Sequence, residues 1–115
     1  EVNTRSRDAR REANISELRR TLVLYESNRG RYPVCPTEVQ INGLTDCFSS
    51  AIISEGIANV LPIDPRNGVG GGNCGDDDSF YYCYVSIDGQ SYTIRYLLET
   101  GTILGKSEGW NSVSP

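Results

Sequence analysis

The 115-residue chain has no histidine and no methionine, one tryptophan and two phenylalanines. Without histidine there is no Ser-His or Cys-His pair, the commonest route to an activated nucleophile. Any zinc site would have to be built from four thiolates. The missing methionine, absent even at position 1, leads to the expectation of a processed or trimmed piece of a longer product. No stretch approaches the ~20 apolar residues that a membrane span needs. Apolar residues make up 37% of the chain, which is low for a globular domain, so the core needs a supplement. One domain over 1–115 is expected.

Four cysteines offer that supplement. Cys35, Cys47, Cys74 and Cys83 contain no C-x-x-C, so neither zinc knuckles nor a thioredoxin-like motif is read here. An even count in a small chain points to two disulfides and an oxidising compartment. Three pairings are possible. Cys35–Cys47 with Cys74–Cys83 is favoured because each closes a local loop.

The chain is organised around a helix predicted over 7–29. Ile15, Leu18, Leu22 and Tyr25 recur at steps of three and four and share one face, with Ala9 and Ala13 adding small apolar surface. Asn28 and Gly30 stop it, and Pro33 prevents continuation. Some 23 residues at 1.5 Å give a rod of roughly 35 Å, long for so small a chain. Charge is unevenly spread. Residues 1–31 hold eight arginines against five acids, net +3, and the remainder is net −7. Arg10, Arg11, Arg19 and Arg20 are read as a surface for association of copies; acidic lipid or DNA is the other partner such a rod suits, though the net charge of −4 argues against nucleic acid.

Residues 31–79 read as a connecting region. Prolines 33 and 36 hold Arg31–Leu44 as an extended loop. Thr45–Ser54 is predicted as a second helix capped by Thr45 or Asp46, burying Phe48, Ile52 and Ile53. Asn59–Arg66 is an extended connector expected to press Val60, Leu61 and Ile63 inward. Asn67–Asp78 has five glycines in twelve residues and needs an outside tie, for which Cys74 is available.

Residues 80–107 predict an antiparallel meander: strands at Phe80–Ile87, Ser91–Glu99 and Thr102–Ser107, with an Asp88-Gly89 hairpin turn between the first two. The 108–115 tail lays Trp110 over the sheet edge. The long helix covers one sheet face, so the fold class is α+β: a helix on a three- to four-stranded antiparallel sheet.

No catalytic set emerges. GVGGGNCG lacks the Lys-Ser/Thr of a phosphate loop and opens no helix. Asp76, Asp77, Asp78 and Asp88 offer oxygen ligands for calcium, but not at the spacing of a calcium loop; the alternative is a solvated acidic loop. Tyr81, Tyr82, Tyr84, Tyr92 and Tyr96 could stack on bases or sugars, or else pack under the helix.

Leu22, Tyr25, Gly30, Tyr32 and Pro33, followed by Leu61, Pro62, Asp64 and Pro65, then Tyr82, Tyr84, Asp88, Gly89, Tyr92, Leu98 and Glu99, form an ordered set that resembles the type IV pilin family. The branch with the major pseudopilin of type II secretion is the nearest. The likeness runs from Asp8 to Glu99. It implies a structural filament subunit made as a membrane-anchored precursor. Its hydrophobic helix half, cleaved and methylated at its N-terminus, would hold it in the inner membrane and later form the filament core. That half, with its acidic residue, is not in this sequence. The partners implied are further copies, other pilins and the assembly machinery, and the location is an extracellular filament or the periplasm. A secretion pseudopilin and a DNA- or glycan-binding minor pilin are the alternatives. Secretion pseudopilins often hold calcium in a late loop; here that region carries cysteines, which suggests that a disulfide does the same job.

Overall fold

The computed structural model describes residues 2–115. Its first element, helix α1 (Val2–Arg29), begins earlier than the apolar periodicity predicts. At 1.5 Å per residue it runs about 42 Å, and the longest dimension of the molecule is 42 Å. One seam of α1 is buried: Asp8, Arg11, Ile15, Leu18, Leu22 and Tyr25. The seam is apolar in its second half and charged in its first, which is why hydrophobic spacing fades before Ile15. Ala9 and Ala13 are exposed. Gly30 ends the helix at φ +76°, with its N–H returned to Glu26 O at 2.7 Å.

Strand β1 (Cys35–Gln40) replaces the loop expected between the two helices. It lies at one edge of the sheet, whose order is β1-β2-β3-β4, and its register breaks between Cys35 and Val39. Pro36 falls in that break. An edge with a register break is where a strand tolerates a residue with no N–H. Helix α2 (Cys47–Ser54) has Asp46 as its N-cap, accepting from Ser49 N at 3.1 Å, and buries Phe48 and Ile52. In the connector only Leu61 goes inward; Val60 and Ile63 are exposed, and Asp64 is buried in their place.

β2 (Cys83–Ser86), β3 (Thr93–Leu98) and β4 (Gly109–Val113) complete an antiparallel sheet. The Asp88-Gly89 turn joins β2 to β3 as predicted, with Gly89 at φ +82°. The strand expected at Thr102–Ser107 does not form. That stretch turns, Lys106 N bonding Ile103 O at 3.0 Å, and leaves Leu104 98% exposed. The tail supplies β4 instead, so Trp110 sits within the edge strand opposite Leu97.

Strand alternation separates two faces. Tyr82, Tyr84, Ile94, Tyr96 and Leu98 join Ile15, Leu18, Leu22 and Phe48 in one core. The three fully buried phenols have partners: Tyr84 Oη donates to Pro33 O at 2.7 Å, Tyr96 Oη to Glu12 at 2.6 Å, and Tyr82 Oη accepts from Asn14 Nδ2 at 2.9 Å. The other face carries Cys83, Arg95, Leu97 and Trp110, and loop 67–79 lies over it. Cys74–Cys83 ties that loop to β2, Trp110 Nε1 donates to Asp76 O at 2.9 Å, and Gln40 Nε2 donates to Gly72 O at 3.1 Å. Gly70 is required there: its φ is +87°, and a Cβ would collide with the Asp78 carbonyl. Cys35–Cys47 joins β1 to the start of α2.

Burial pushes the phenol pKa values of Tyr82, Tyr84 and Tyr96 above the ordinary 10.0. The folded state therefore holds protons that the unfolded chain releases. Stability is full below pH 10 and falls as pH rises above it. An alkaline titration of the phenolate absorbance should show these three tyrosines ionising only as the far-ultraviolet dichroism is lost. Titration of all seven tyrosines together in the folded chain would contradict this.

Candidate functional site

Arg11 is fully buried, on the charged half of the α1 seam. A buried guanidinium is tolerated only when its donors and its charge are matched. Its Nε and Nη2 fork onto Asp64 at 2.9 and 3.1 Å. Its Nη1 reaches Asp8 at 2.8 Å and Glu99 at 2.7 Å. The fixed planar fork makes this possible; a lysine ammonium has no such geometry.

The carboxylates are equally occupied. Asp8 accepts from Glu99 N and Thr100 N, both at 2.9 Å, and from Thr100 Oγ1 at 2.7 Å, so a helix side chain caps the end of β3. Asp64 also accepts Arg66 N at 2.8 Å. Glu99 takes both Arg7 donors at 2.6 and 2.8 Å and Arg66 Nη1 at 3.1 Å. Phe80 packs against two guanidiniums, with Arg11 Cζ 5.1 Å and Arg66 Cζ 4.6 Å from its ring centre. Three acids thus face three arginines, and the cluster is neutral overall.

The hydrogen bonds from Arg7, then those and the charge of Arg11, outweigh desolvation and hold the Glu99 carboxyl at about 2, against an ordinary 4.5. Burial works against the Arg11 cation, but the bonds and charge of Asp64, then the bonds of Glu99 and Asp8, reverse that and raise its pKa. Because Glu99 is depressed, its contribution is complete above pH 4.5 and is lost as pH falls toward about 2. Thermal melts across that window should fall steeply, and Glu99→Gln should flatten the slope. An unaltered slope in the variant would place the acid sensitivity elsewhere. No buried side-chain donor or acceptor of the cluster lacks a partner, so it serves to pin α1 to the connector and the sheet.

Arg11 therefore cannot belong to an assembly surface: it points inward, where Asp64 and Glu99 hold it. Arg10, Arg19 and Arg20 are exposed on α1, and Arg19 Nη2 donates to Ser114 O at 3.0 Å. Val23 and Leu24 are exposed on the same helix. Of the five tyrosines weighed as a stacking platform, Tyr82, Tyr84, Tyr92 and Tyr96 are buried, and only Tyr81 is partly open.

The four acids weighed for calcium are not brought together. Asp76, Asp77 and Asp78 lie in the loop that Cys74 ties to the start of β2, and Asp88 lies beyond the other end of that strand. Asp76 Oδ2 already accepts Asn73 N at 2.9 Å, and Asp88 Oδ1 accepts Gln90 N at 2.9 Å. Among the described residues Glu38, Cys74 and Cys83 have metal-ligand spacing. The two sulfurs, however, are bonded to each other, and Glu38 grips Arg95 at 2.8 and 2.7 Å.

The buried cluster was within reach of sequence reasoning. Extending the seam backward by the same steps from Ile15 lands on Arg11 and Asp8, and LPIDPR offers an acid fixed between two prolines. Charges on a core seam call for partners elsewhere in the chain. No family model, curated protein or solved structure matches this chain.

Proposed function

We propose that the chain is the globular part of a structural subunit of a type IV pilus-like filament, acting by polymerisation. The observation that carries this reading is α1 itself. It spans the full 42 Å of the molecule, one face locked on the sheet by core and ion cluster, the other exposed and mostly polar, with Val23 and Leu24 among its residues. A rod with one committed face and one free face suits a subunit that packs its helix against those of its neighbours. The order of helix, connector, Tyr-rich strand and Asp-Gly hairpin supports the same reading through the resemblance given above. Among the described residues no helix is long and apolar enough to cross a membrane.

In this reading the inner-membrane anchor and the filament core come from sequence outside these residues, and the partners are further copies, other pilins and the assembly machinery. Assembled subunits lie outside the cell or in the periplasm. The Cys74–Cys83 tie holds the loop that calcium would hold in a secretion pseudopilin, which favours a surface fibre over the pseudopilus alternative. Burial of four of the five tyrosines counts against a stacking DNA- or glycan-binding subunit.

The test is charge reversal on the free face. Arg10→Glu, Arg19→Glu and Arg20→Glu together, in the protein expressed from its own gene, should cut fibres per cell several-fold while the melting temperature of the isolated domain barely moves. Undiminished fibres would remove the helix face from assembly. Arg11 is not a fair probe, because it is buried and its loss should destabilise the domain itself.

A further inference from the structure

A cleft of about 470 Å³ opens where loop 67–79 meets the ends of β3 and β4. Its lining is mainly polar: Asp77, Asp78 and Glu108 border it together with Phe80, Leu97 and the Trp110 indole. These three carboxylates are exposed and make no ion pair among the described residues. The cleft's own cation, Arg66, is engaged by Glu99 at 3.1 Å. The rings already receive guanidiniums from within the chain: Arg66 lies 4.6 Å over Phe80, and Arg95 lies 5.5 Å over Trp110. Phe80 is buried and already taken, but the partly exposed Trp110 indole beside unpaired carboxylates suits one further guanidinium.

Such guanidiniums stand exposed on α1. Arg5, Arg10 and Arg20 have no acidic partner among the described residues. The first 31 residues are net +3 and the rest net −7, so the two surfaces are complementary in sign. They are different patches of one molecule. Joining them between copies makes a heterologous contact, which repeats without closing unless the rotation happens to form a ring.

We propose that this cleft is a socket for an exposed α1 arginine of a second copy of the chain, so that copies join helix to sheet end. The proposal rests on the filament reading for its setting in the cell, but the contact itself belongs to this domain. Two variants separate the halves. One carries Arg5→Glu, Arg10→Glu and Arg20→Glu and keeps the socket. The other carries Asp77→Asn, Asp78→Asn and Glu108→Gln and keeps the arginines. All six positions are exposed, so both variants should melt like the parent.

In sedimentation at about 1 mM protein, where a contact of millimolar Kd is populated, the parent should associate into open series. Its association should weaken as the Debye length shrinks from about 10 Å at 0.1 M salt to about 3 Å at 1 M. Each variant alone should be about tenfold weaker. An equimolar mixture should form dimers and stop there, since only one junction remains. A monomeric parent, self-association of either variant at parental strength, or a mixture without dimers would overturn the socket. The two readings fail separately. Fibres unchanged on cells carrying the socket variant sink the socket alone, and association in solution by a protein that forms no fibres sinks the filament reading alone.

Discussion

Replacing Arg11 with methionine should destabilise the domain by about 3–5 kcal/mol, the usual cost of removing one side of a buried ion pair. That is much of the 5–15 kcal/mol that holds a typical domain together. The three acids around it do not suffer equally. Glu99 keeps Arg7 and Arg66, and Asp8 keeps its two backbone N–H groups and the Thr100 hydroxyl. Asp64 loses both of its side-chain donors and keeps only Arg66 N. Most of the loss should therefore come from Asp64, left buried as an uncompensated charge. The double variant R11M with Asp64→Leu should recover a substantial part of it, because the orphaned charge goes with the cation. Arg11→Lys should be nearly as damaging as R11M, since one ammonium cannot satisfy three acids in a planar arrangement. Urea midpoints at constant m-value give the comparison. A cost below about 1 kcal/mol for R11M would mean that the cluster is open to water.

The second large effect belongs to the disulfides, and it should divide into two signatures. By the loop-entropy estimate each bridge is worth about 3 kcal/mol. Removing Cys35–Cys47 should lower stability and leave the surroundings of Trp110 unchanged. Removing Cys74–Cys83 should do both: it frees the glycine-rich loop, breaks the Trp110–Asp76 hydrogen bond and uncovers Leu97. Since Trp110 is the only tryptophan, its emission reports that loop directly. A red shift in the Cys74→Ser/Cys83→Ser variant, and none in Cys35→Ser/Cys47→Ser, is the expected pair of results. Equal spectra would mean that the loop is held without its bridge.

What could be read beforehand follows from what each residue's neighbours in sequence reveal. The apolar seam of α1, the Asp46 cap and the Asp88-Gly89 turn are local signals, and each appears where it was expected. The pairing of the cysteines was legible because both bridges are short in sequence. β1 was not, because a proline-flanked segment becomes a strand only when an edge position is available, and that depends on β2. β4 was missed for a related reason. Thr102–Ser107 has a strand-like composition, but Gly105 at φ +80° turns it, and the partner that β3 selects lies further on. Arg11 looked like a surface charge because its partners Asp64 and Glu99 are far away in the chain. A hydrophobic template stops at Ile15, while the buried seam continues to Asp8.

The central claim, that this domain is built to polymerise, is tested most directly on the cell. Antibodies raised against the folded chain should be applied to intact source cells and to fibres sheared from them, with gold labelling read in the electron microscope. The account predicts gold in rows along thin surface fibres and the chain as a principal component of the sheared fraction. Gold confined to cell bodies, with the chain missing from every fibre preparation, would contradict it.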